Sequence, residues 1–469
     1  MADKFKSLKN IKKIHMIGIG GVSMSAMAIV LKKEGYIVTG SDKNGSDMIE
    51  ILTESKIPVF IGSNAELVKG ADVVVYTSAI NQHDPEFVRA KALGIPTYER
   101  AKFLGLLLQC YEHPICISGT HGKTTTTSMV SSIFIDAGLN PNVQVGSKYK
   151  KIGNLNYRIG NSKYFILESC EYVDSFLNFP HNTATILNIE EDHLDYFSGI
   201  DEIKESFKKF ILMLPKDGIL VINKDDMNCT NIIKEISDDL YEKQIKIYTF
   251  SLSDPTATIY AKNVSCNIKG FYSFDITDLK TSATHHFYLT VPGIHNVYDA
   301  LAAIATAYAH DIDFEIMKKS LNEFSGADRR FEFKKTLKSG SLLYDDYAHH
   351  PTEVKATLGA AKQKEHNRIF AIFQPHTFSR TKELLNDFSN SFFDADIAII
   401  TDIYAAREID DGTISSKDLV RELKKNKVNA IYLSSFDEIS DYIEKESKKN
   451  DLVLTIGAGS ITHLSEKLK

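Results

Sequence analysis

No C-x-x-C pair occurs among the five cysteines of this chain, Cys110, Cys116, Cys170, Cys229 and Cys266. Scattered and odd in number, they exclude a zinc ribbon and a disulfide framework and fit a reducing, cytoplasmic setting. Positive charge is not in excess either. The net charge is −6, which excludes a broad nucleic-acid surface. No apolar run reads as a membrane span. The uncharged stretch 14–31 follows Lys12 and Lys13, as a signal peptide or short span does. It holds Gly18, Gly20, Gly21, Ser23 and Ser25, which suit a tight turn between a buried strand and a helix. No internal repeat or low-complexity linker is found. A last absence is local. In "ISGTHGKTTTTS" (117–128), Ile117 stands where the Walker pattern G-x-x-x-x-G-K-[ST] has its first glycine.

What is present is a soluble globular composition, 43% hydrophobic and 25% charged over 469 residues, long enough for about three domains. Strand patterns at 14–19, 36–40 and 73–77 alternate with helical ones, the first at 23–34, predicting a parallel sheet with crossover helices. The pattern restarts at 114–118 and continues through 164–168, 184–189 and 219–222. Residues 254–292 alternate β-branched and aromatic residues with polar turns, as antiparallel hairpins do. A helix is predicted at 295–310, with its His-Asn start as a cap. A third alternating unit has strands at 341–345, 369–373, 396–401 and 452–456. The boundaries expected are 1–111, 112–326 and 327–469.

Two glycine turns follow strands and open helices. In "GIGGVSMSA", Gly18 and Gly20 match the first two positions of G-x-G-x-x-G, Ser23 takes the third, and Asp42 ends the next strand. Either a nucleotide diphosphate or a nicotinamide dinucleotide fits this turn. In the second, the N–H groups of Gly122, Lys123 and Thr124 are placed to cradle phosphate. Lys123 is placed to reach the outer phosphates and Thr124 to face Mg2+. Glu168 ends an apolar strand, and Asp192 and His193 follow another, at the carboxyl ends where open α/β sheets bind ligands. A dehydrogenase leaves this second loop unexplained. A nucleotide switch leaves unexplained the histidines and arginine of the third unit.

"GTHGKTTT", Glu168 with His193, "GIHNVYDALAA", "RRF", "DDYAHHPTEV" and "FQPHTFSRT" occur in that order. The chain resembles the Mur ligases, ATP-dependent amide-bond ligases of peptidoglycan precursor synthesis, over roughly residues 14–460. The short phosphate loop is the form that family shares with folylpolyglutamate synthases. The resemblance implies an α/β fold of three domains: a Rossmann-like N-terminal domain that binds a UDP-sugar, a central P-loop ATP-binding domain with added antiparallel strands, and a Rossmann-like C-terminal domain that contacts the amino acid and the nucleotide. "IGIGGVSMSAMA", "DDYAHHPTE" and "FQPH" with Arg380 imply L-alanine and UDP-N-acetylmuramate as the pair joined. Cytoplasmic cell-wall synthesis, with its links to cell shape and division, is implied too, by a monomer or weak homodimer that acts on small molecules.

Carried over residue by residue, the resemblance gives ATP to Gly119, Thr120, His121, Gly122, Lys123, Thr124 and Thr125, with Asn296 on adenine and Arg330 and Asp346 on the nucleotide. Mg2+ falls to Thr124, Glu168 and His193. Gly20, Gly21, Asp42 and Ser78 hold the UDP-sugar. Tyr347, His349, His376 and Arg380 surround alanine and the sugar carboxylate, and Lys123, His193, His349 and Arg380 carry the chemistry. The chain departs from the pattern at Asp299, often a second asparagine, and at Thr377, often an arginine. Lys208 lies near the position of a lysine that several members carbamylate, and reads more simply as a solvated helix lysine.

Overall fold

The structure, a computed structural model, describes residues 11–77, 80–406 and 408–469, without the side chain at position 47. Ser78, given to the UDP-sugar above, lies outside the described residues. The strands of the described residues form three sheets. The first is fully parallel, in the order Val59–Ile61, Ile37–Asp42, Lys13–Ile17, Val73–Tyr76, Thr97–Glu99. The central sheet has ten strands. Its middle is parallel, with Tyr164–Glu168, His113–Ser118, Thr183–Ile186, Ile219–Asn223 and Lys246–Ser251 side by side. The third has five parallel strands and an antiparallel edge strand, Glu332–Thr336. The central strands read as apolar runs because helices cover both sheet faces, and Ile115, Cys116 and Ile117 are all fully buried.

The hairpins expected at 254–292 are present. Ile259–Cys266, Phe271–Thr277 and Thr284–Pro292 pair antiparallel with one another, and the first of them joins Lys246–Ser251 in parallel. Two expectations are corrected. The strand expected at 184–189 leaves the ladder after Ile186, because Asn188 instead bonds the phosphate loop. The helix expected from 295 runs Ile294–Ala309, with Gly293 (φ 98°) at its N-cap and no side-chain cap. His295 and Asn296 lie inside its first turn, where Asn296 Nδ2 donates to the Pro292 carbonyl (2.7 Å). The small residues Ala300, Ala302, Ala303, Ala305 and Ala307 let this helix pack into the central core, where all five are fully buried. It lies against the helix Lys123–Asp136, so one of its ends borders the phosphate loop.

The first and central units share one apolar cluster, in which Phe103, Leu104, Leu107 and Leu108 meet Phe165, Phe176 and Phe179. Gly105 makes this approach possible, since a methyl there would collide with the Asn178 carbonyl. At about 25 cal/mol per Å2 of apolar surface, such burial fixes the relative position of the two sheets.

Candidate functional site

The phosphate loop is built by a neighbour. Asn188 accepts from His121 N through Oδ1 (2.8 Å), donates to the His121 carbonyl (3.1 Å), and offers its own carbonyl to Thr120 N (3.1 Å). These bonds consume the N–H groups of Thr120 and His121. Gly122 follows with φ 83° as the cap of the helix Lys123–Asp136, a conformation that glycine adopts without strain. The N–H groups of Gly122, Lys123 and Thr124 then have no intrahelical acceptor and sit where the helix dipole favours an anion.

The structure surrounds this loop with charge. Lys123 Nζ lies 3.0 Å from Glu171 Oε2 and 3.0 Å from the Thr120 carbonyl. Burial opposes its charge, but Glu171 outweighs that and holds the ammonium above its ordinary range. Thr124 Oγ1 donates to Glu168 Oε1 (3.0 Å), and Gly146 N donates to Glu168 Oε2 (2.5 Å). A methyl at Gly146 would stand 2.6 Å from Glu168 Oε1, so this glycine makes room for the carboxylate. A threonine hydroxyl beside a carboxylate at a phosphate loop is a hard-oxygen donor set that fits Mg2+. His193 takes φ 55°, uncommon outside glycine and found at functional sites. Its Nε2 lies 3.8 Å from Glu171 Oε1, and with Cys170 these two residues form a further metal-competent cluster.

The C-terminal unit closes over the loop. Arg330 donates to Thr124 Oγ1 (3.2 Å). Arg329 and Arg330 cover the Tyr347 ring at 4.8 and 5.3 Å. Asp346 accepts from Phe331 N (2.7 Å) and Ala348 N (2.8 Å), and its burial raises its pKa to about 6. His121 stands between Glu190 (3.4 Å) and Glu353 (3.3 Å). Burial opposes its charge, yet the two carboxylates raise its pKa to about 9. Glu353 also reaches His349 (3.3 Å). Arg380 Nη2 pairs with Asp192 Oδ1 (3.0 Å), and its Nη1 contacts His376 Nδ1 (3.1 Å). Burial opposes the charge of Asp192, but His193 and Arg380 hold its carboxyl well below the usual range. Burial depresses His349 and takes His376 to about 4, so both imidazoles are neutral at pH 7.

Three cavities surround these residues. One of 380 Å3 joins His121, Gly122, Thr125, Asn296, Arg330 and Asp346, bringing together from two units residues expected to contact ATP. A second, of 560 Å3, joins Val22 of the first unit to Thr124, Glu168, Arg330 and Tyr347. A third, of 340 Å3, joins His193, His376 and Arg380. Tyr347 therefore faces a different cavity from His376 and Arg380, and His349 sits between them with ring centroids 5.4 Å from Tyr347 and 5.8 Å from His376. Lys208 pairs with Glu205 (2.5 Å) and Glu235 (2.9 Å) and joins none of the three.

In the N-terminal turn, Gly20 N donates to Asp42 Oδ2 (2.9 Å), so Asp42 braces the turn. Gly21 precedes the helix Val22–Lys33 as its N-cap. Ser23 is more than a small stand-in for glycine. Its hydroxyl accepts from Arg100 Nη1 (3.2 Å) and from Gln144 Nε2 (2.5 Å), and Asn156 Nδ2 donates to the Val22 carbonyl (3.1 Å). The turn is thereby tied to the central unit. Thr377, at the departure noted above, has φ 65° and caps the helix Phe378–Glu383.

Glu171, Glu190, Glu353 and Asn188 were not singled out from the sequence. Glu353 had a usable signal: in "HHPTE" a polar cap, Pro351 and an acid three residues after the cap spell a helix start, and His350 and Glu353 do form a capping box. Asn188 had none, because its role depends on strands joined only by the fold.

Comparisons with known proteins agree with this geometry. Residues 13–111 match the Mur ligase family catalytic domain, 117–307 the Mur ligase middle domain, and 329–459 the Mur ligase glutamate ligase domain. The chain is 47% identical to the UDP-N-acetylmuramate–L-alanine ligase of Caldanaerobacter subterraneus subsp. tengcongensis over 98% of each chain. It is 46% identical to that of Clostridium tetani, over 97% of this chain and 98% of the relative. Its structure resembles the UDP-N-acetylmuramate–alanine ligase of Thermotoga maritima with a TM-score of 0.80 and 27% identity, covering 97% and 98% of the two chains. A short phosphate loop shaped by Asn188, closed over by an arginine pair from the third unit and tied through Ser23 to the first, thus accompanies matches along nearly the whole length, and the chain belongs to the Mur ligase family.

Proposed function

We propose that the protein is an ATP-dependent ligase that joins L-alanine to the lactyl carboxylate of UDP-N-acetylmuramate, releasing ADP and phosphate, in peptidoglycan precursor synthesis. The observation that carries this reading is the meeting of three units at Thr124 and Glu168, with Val22 on one side and Arg330 and Tyr347 on the other. A carboxylate does not release hydroxide to an amine at neutral pH, so it must first be activated. The lactyl carboxylate attacks the γ-phosphorus and forms an acyl phosphate. The alanine amine then attacks the acyl carbon, and phosphate leaves.

The chain's own groups suit these steps. The N–H groups of Gly122, Lys123 and Thr124 cradle the phosphates, and Lys123 and Arg330 offset the charge that develops as two anions approach. Thr124 and Glu168 would hold one Mg2+ and His193 a second; bound there, the ions supply further positive charge against the phosphate oxygens. Asn296 and Asp346 hold the nucleoside. Gly20, Gly21 and Asp42 shape the turn for the UDP-sugar diphosphate. Arg380 and His376 receive the amino-acid carboxylate, and His349, neutral at pH 7, is able to accept the ammonium proton.

The substrates are small molecules of the cytoplasm, and we place the enzyme there as a monomer or weak homodimer, with no nucleic-acid partner. No helix among the described residues is long and apolar enough to cross a membrane.

The test is phosphate release with ATP, Mg2+ and UDP-N-acetylmuramate against each amino acid in turn. Turnover with alanine and dependence on all three substrates is expected. Rapid ATP hydrolysis by the protein alone overturns the ligase reading.

A further inference from the structure

Asp299 is a buried acid with no salt bridge among the described residues. It is 6% exposed and lies one helical turn beyond Asn296, so the two side chains share a face of the helix Ile294–Ala309. Both line the 380 Å3 cavity. Thr126 Oγ1 donates to Asp299 Oδ1 (3.0 Å), and no hydrogen bond to Oδ2 is found among the described residues. Asn296 spends its amide N–H groups on the Pro292 carbonyl (2.7 Å) and His295 Nε2 (3.1 Å). That leaves the Asn296 carbonyl as an acceptor for whatever fills the cavity.

An ionised Asp299 would add only further acceptors. A nucleobase edge that carries an amino group beside a ring nitrogen needs one acceptor and one donor. Asn296 supplies the acceptor. On this face, Asp299 supplies a donor only when it carries a proton, on the oxygen that Thr126 leaves unbonded. An ionised carboxylate would instead set its lone pairs against those of the ring nitrogen. Resting on the ATP reading above, we propose that Asp299 acts as a specificity residue in its neutral acid form, donating to a ring nitrogen of adenine while Asn296 accepts from the amino group, so that nucleotide binding takes up a proton and weakens with rising pH.

Burial raises the Asp299 pKa to about 7, against weaker opposing effects of the Thr126 hydrogen bond, Arg330 and His121. The cavity holds other charged and titratable groups. Arg330, Asp346 and Glu353 enter from the third unit, His121 from the phosphate loop, Glu190, Asp225 and Asp226 from the loops after central strands, and His295 and Tyr298 from the same helix. Asp346 and His121 have pKa values near 6 and 9, so the pH dependence of the unaltered protein alone does not isolate Asp299. The comparison with Asp299→Asn does, because the amide has nearly the same shape, always offers a donor and leaves the other groups in place.

The experiment is calorimetric titration of the full chain with ADP from pH 6 to 9. Relative to Asp299→Asn, the unaltered protein should lose about tenfold in affinity per pH unit above the Asp299 pKa. In buffers of different ionisation enthalpy at pH 8, it should take up close to one proton more per ADP bound than Asp299→Asn does. Parallel affinity profiles for the two proteins, or equal proton uptake by both at pH 8, overturn the proposal. Failure of both proteins to bind ADP at any pH overturns the nucleotide reading itself, and this proposal with it.

Discussion

The Lys123 ammonium and the Glu171 carboxylate lie 3.0 Å apart, both largely buried. The cation of the phosphate loop is thus held by an acid of its own protein. Replacing Lys123 by Ala removes the charge that meets the outer phosphates, and kcat should fall at least ~100-fold. It also strands Glu171, whose side chain is 3% exposed, at a cost of about 3–5 kcal/mol for breaking a buried pair. Lys123→Ala with Glu171→Gln should therefore regain thermal stability without regaining activity. Full activity of folded Lys123→Ala would show that the loop does not bind the transferred phosphate.

Arg380 offers a different test. Nε and Nη2 both reach Asp192 Oδ1, at 3.3 and 3.0 Å, and the group lines the cavity that holds His193 and His376 but not the one that holds Asn296. Arg380→Ala should raise KM for alanine and lower kcat by at least about tenfold, while ADP affinity measured by calorimetry changes little. Lysine should not rescue, because a point charge does not replace a planar fork. A variant that loses nucleotide affinity but keeps its alanine dependence sinks the assignment.

The unequal legibility of the site has a physical cause. Thr124, Glu168 and His193 stand out in the sequence because each ends or follows an apolar strand, and parallel strands deliver their carboxyl ends to one edge of the sheet. The cores were readable for the same reason: buried parallel strands carry apolar runs, as Pro114 to Ile117 do within His113–Ser118. Asn188 was not readable, since it lies where the sequence suggests that a strand continues. The part Ser23 plays was not readable either, because its partners Arg100 and Gln144 are far away in sequence. Glu171 and Glu190 sit beside other acids in "ESCE" and "NIEED", and only the fold decides which acid faces the loop.

His121 gives a pH prediction for stability. Its folded pKa, about 9, exceeds the ordinary value of about 6.5. The stabilisation from Glu190 and Glu353 is therefore fully present below pH 6.5 and is lost as pH rises through 9. His121→Gln should lower stability by ~3 kcal/mol at pH 6, from the size of that shift, and by much less at pH 10. Thermal melts of both proteins at pH 6, 8 and 10 check this. An equal difference at all three values would mean that the ring acts through packing alone.

The last prediction concerns what the N-terminal turn binds. Its glycines suit a nicotinamide dinucleotide as well as a uridine diphosphate sugar, and Asp42 does not choose between them because it is occupied in bracing Gly20. The choice comes from what the turn is attached to. Ser23 and Val22 bond Gln144 and Asn156 of the central unit, and the cavity beside them reaches Thr124 and Glu168. A ligand in the turn can thus extend toward the phosphate loop, which a sugar carboxylate must do to meet the γ-phosphate and a nicotinamide has no cause to do. Closure of the units around the acyl phosphate would then keep water from it. The full chain is the right material for the test, because Phe103 and Leu107 are buried against the central unit and a fragment ending at 111 would expose them. UDP-N-acetylmuramate should bind the full chain and protect it from proteolysis, and NAD and NADP should do neither. Ser23→Val, which removes the shared acceptor and adds bulk between Arg100 and Gln144, should raise KM for the sugar nucleotide at least about tenfold, the loss expected from breaking hydrogen bonds to a charged group, and leave ADP affinity unchanged. Micromolar binding of NAD with no binding of the UDP-sugar would remove the ligase reading from this unit.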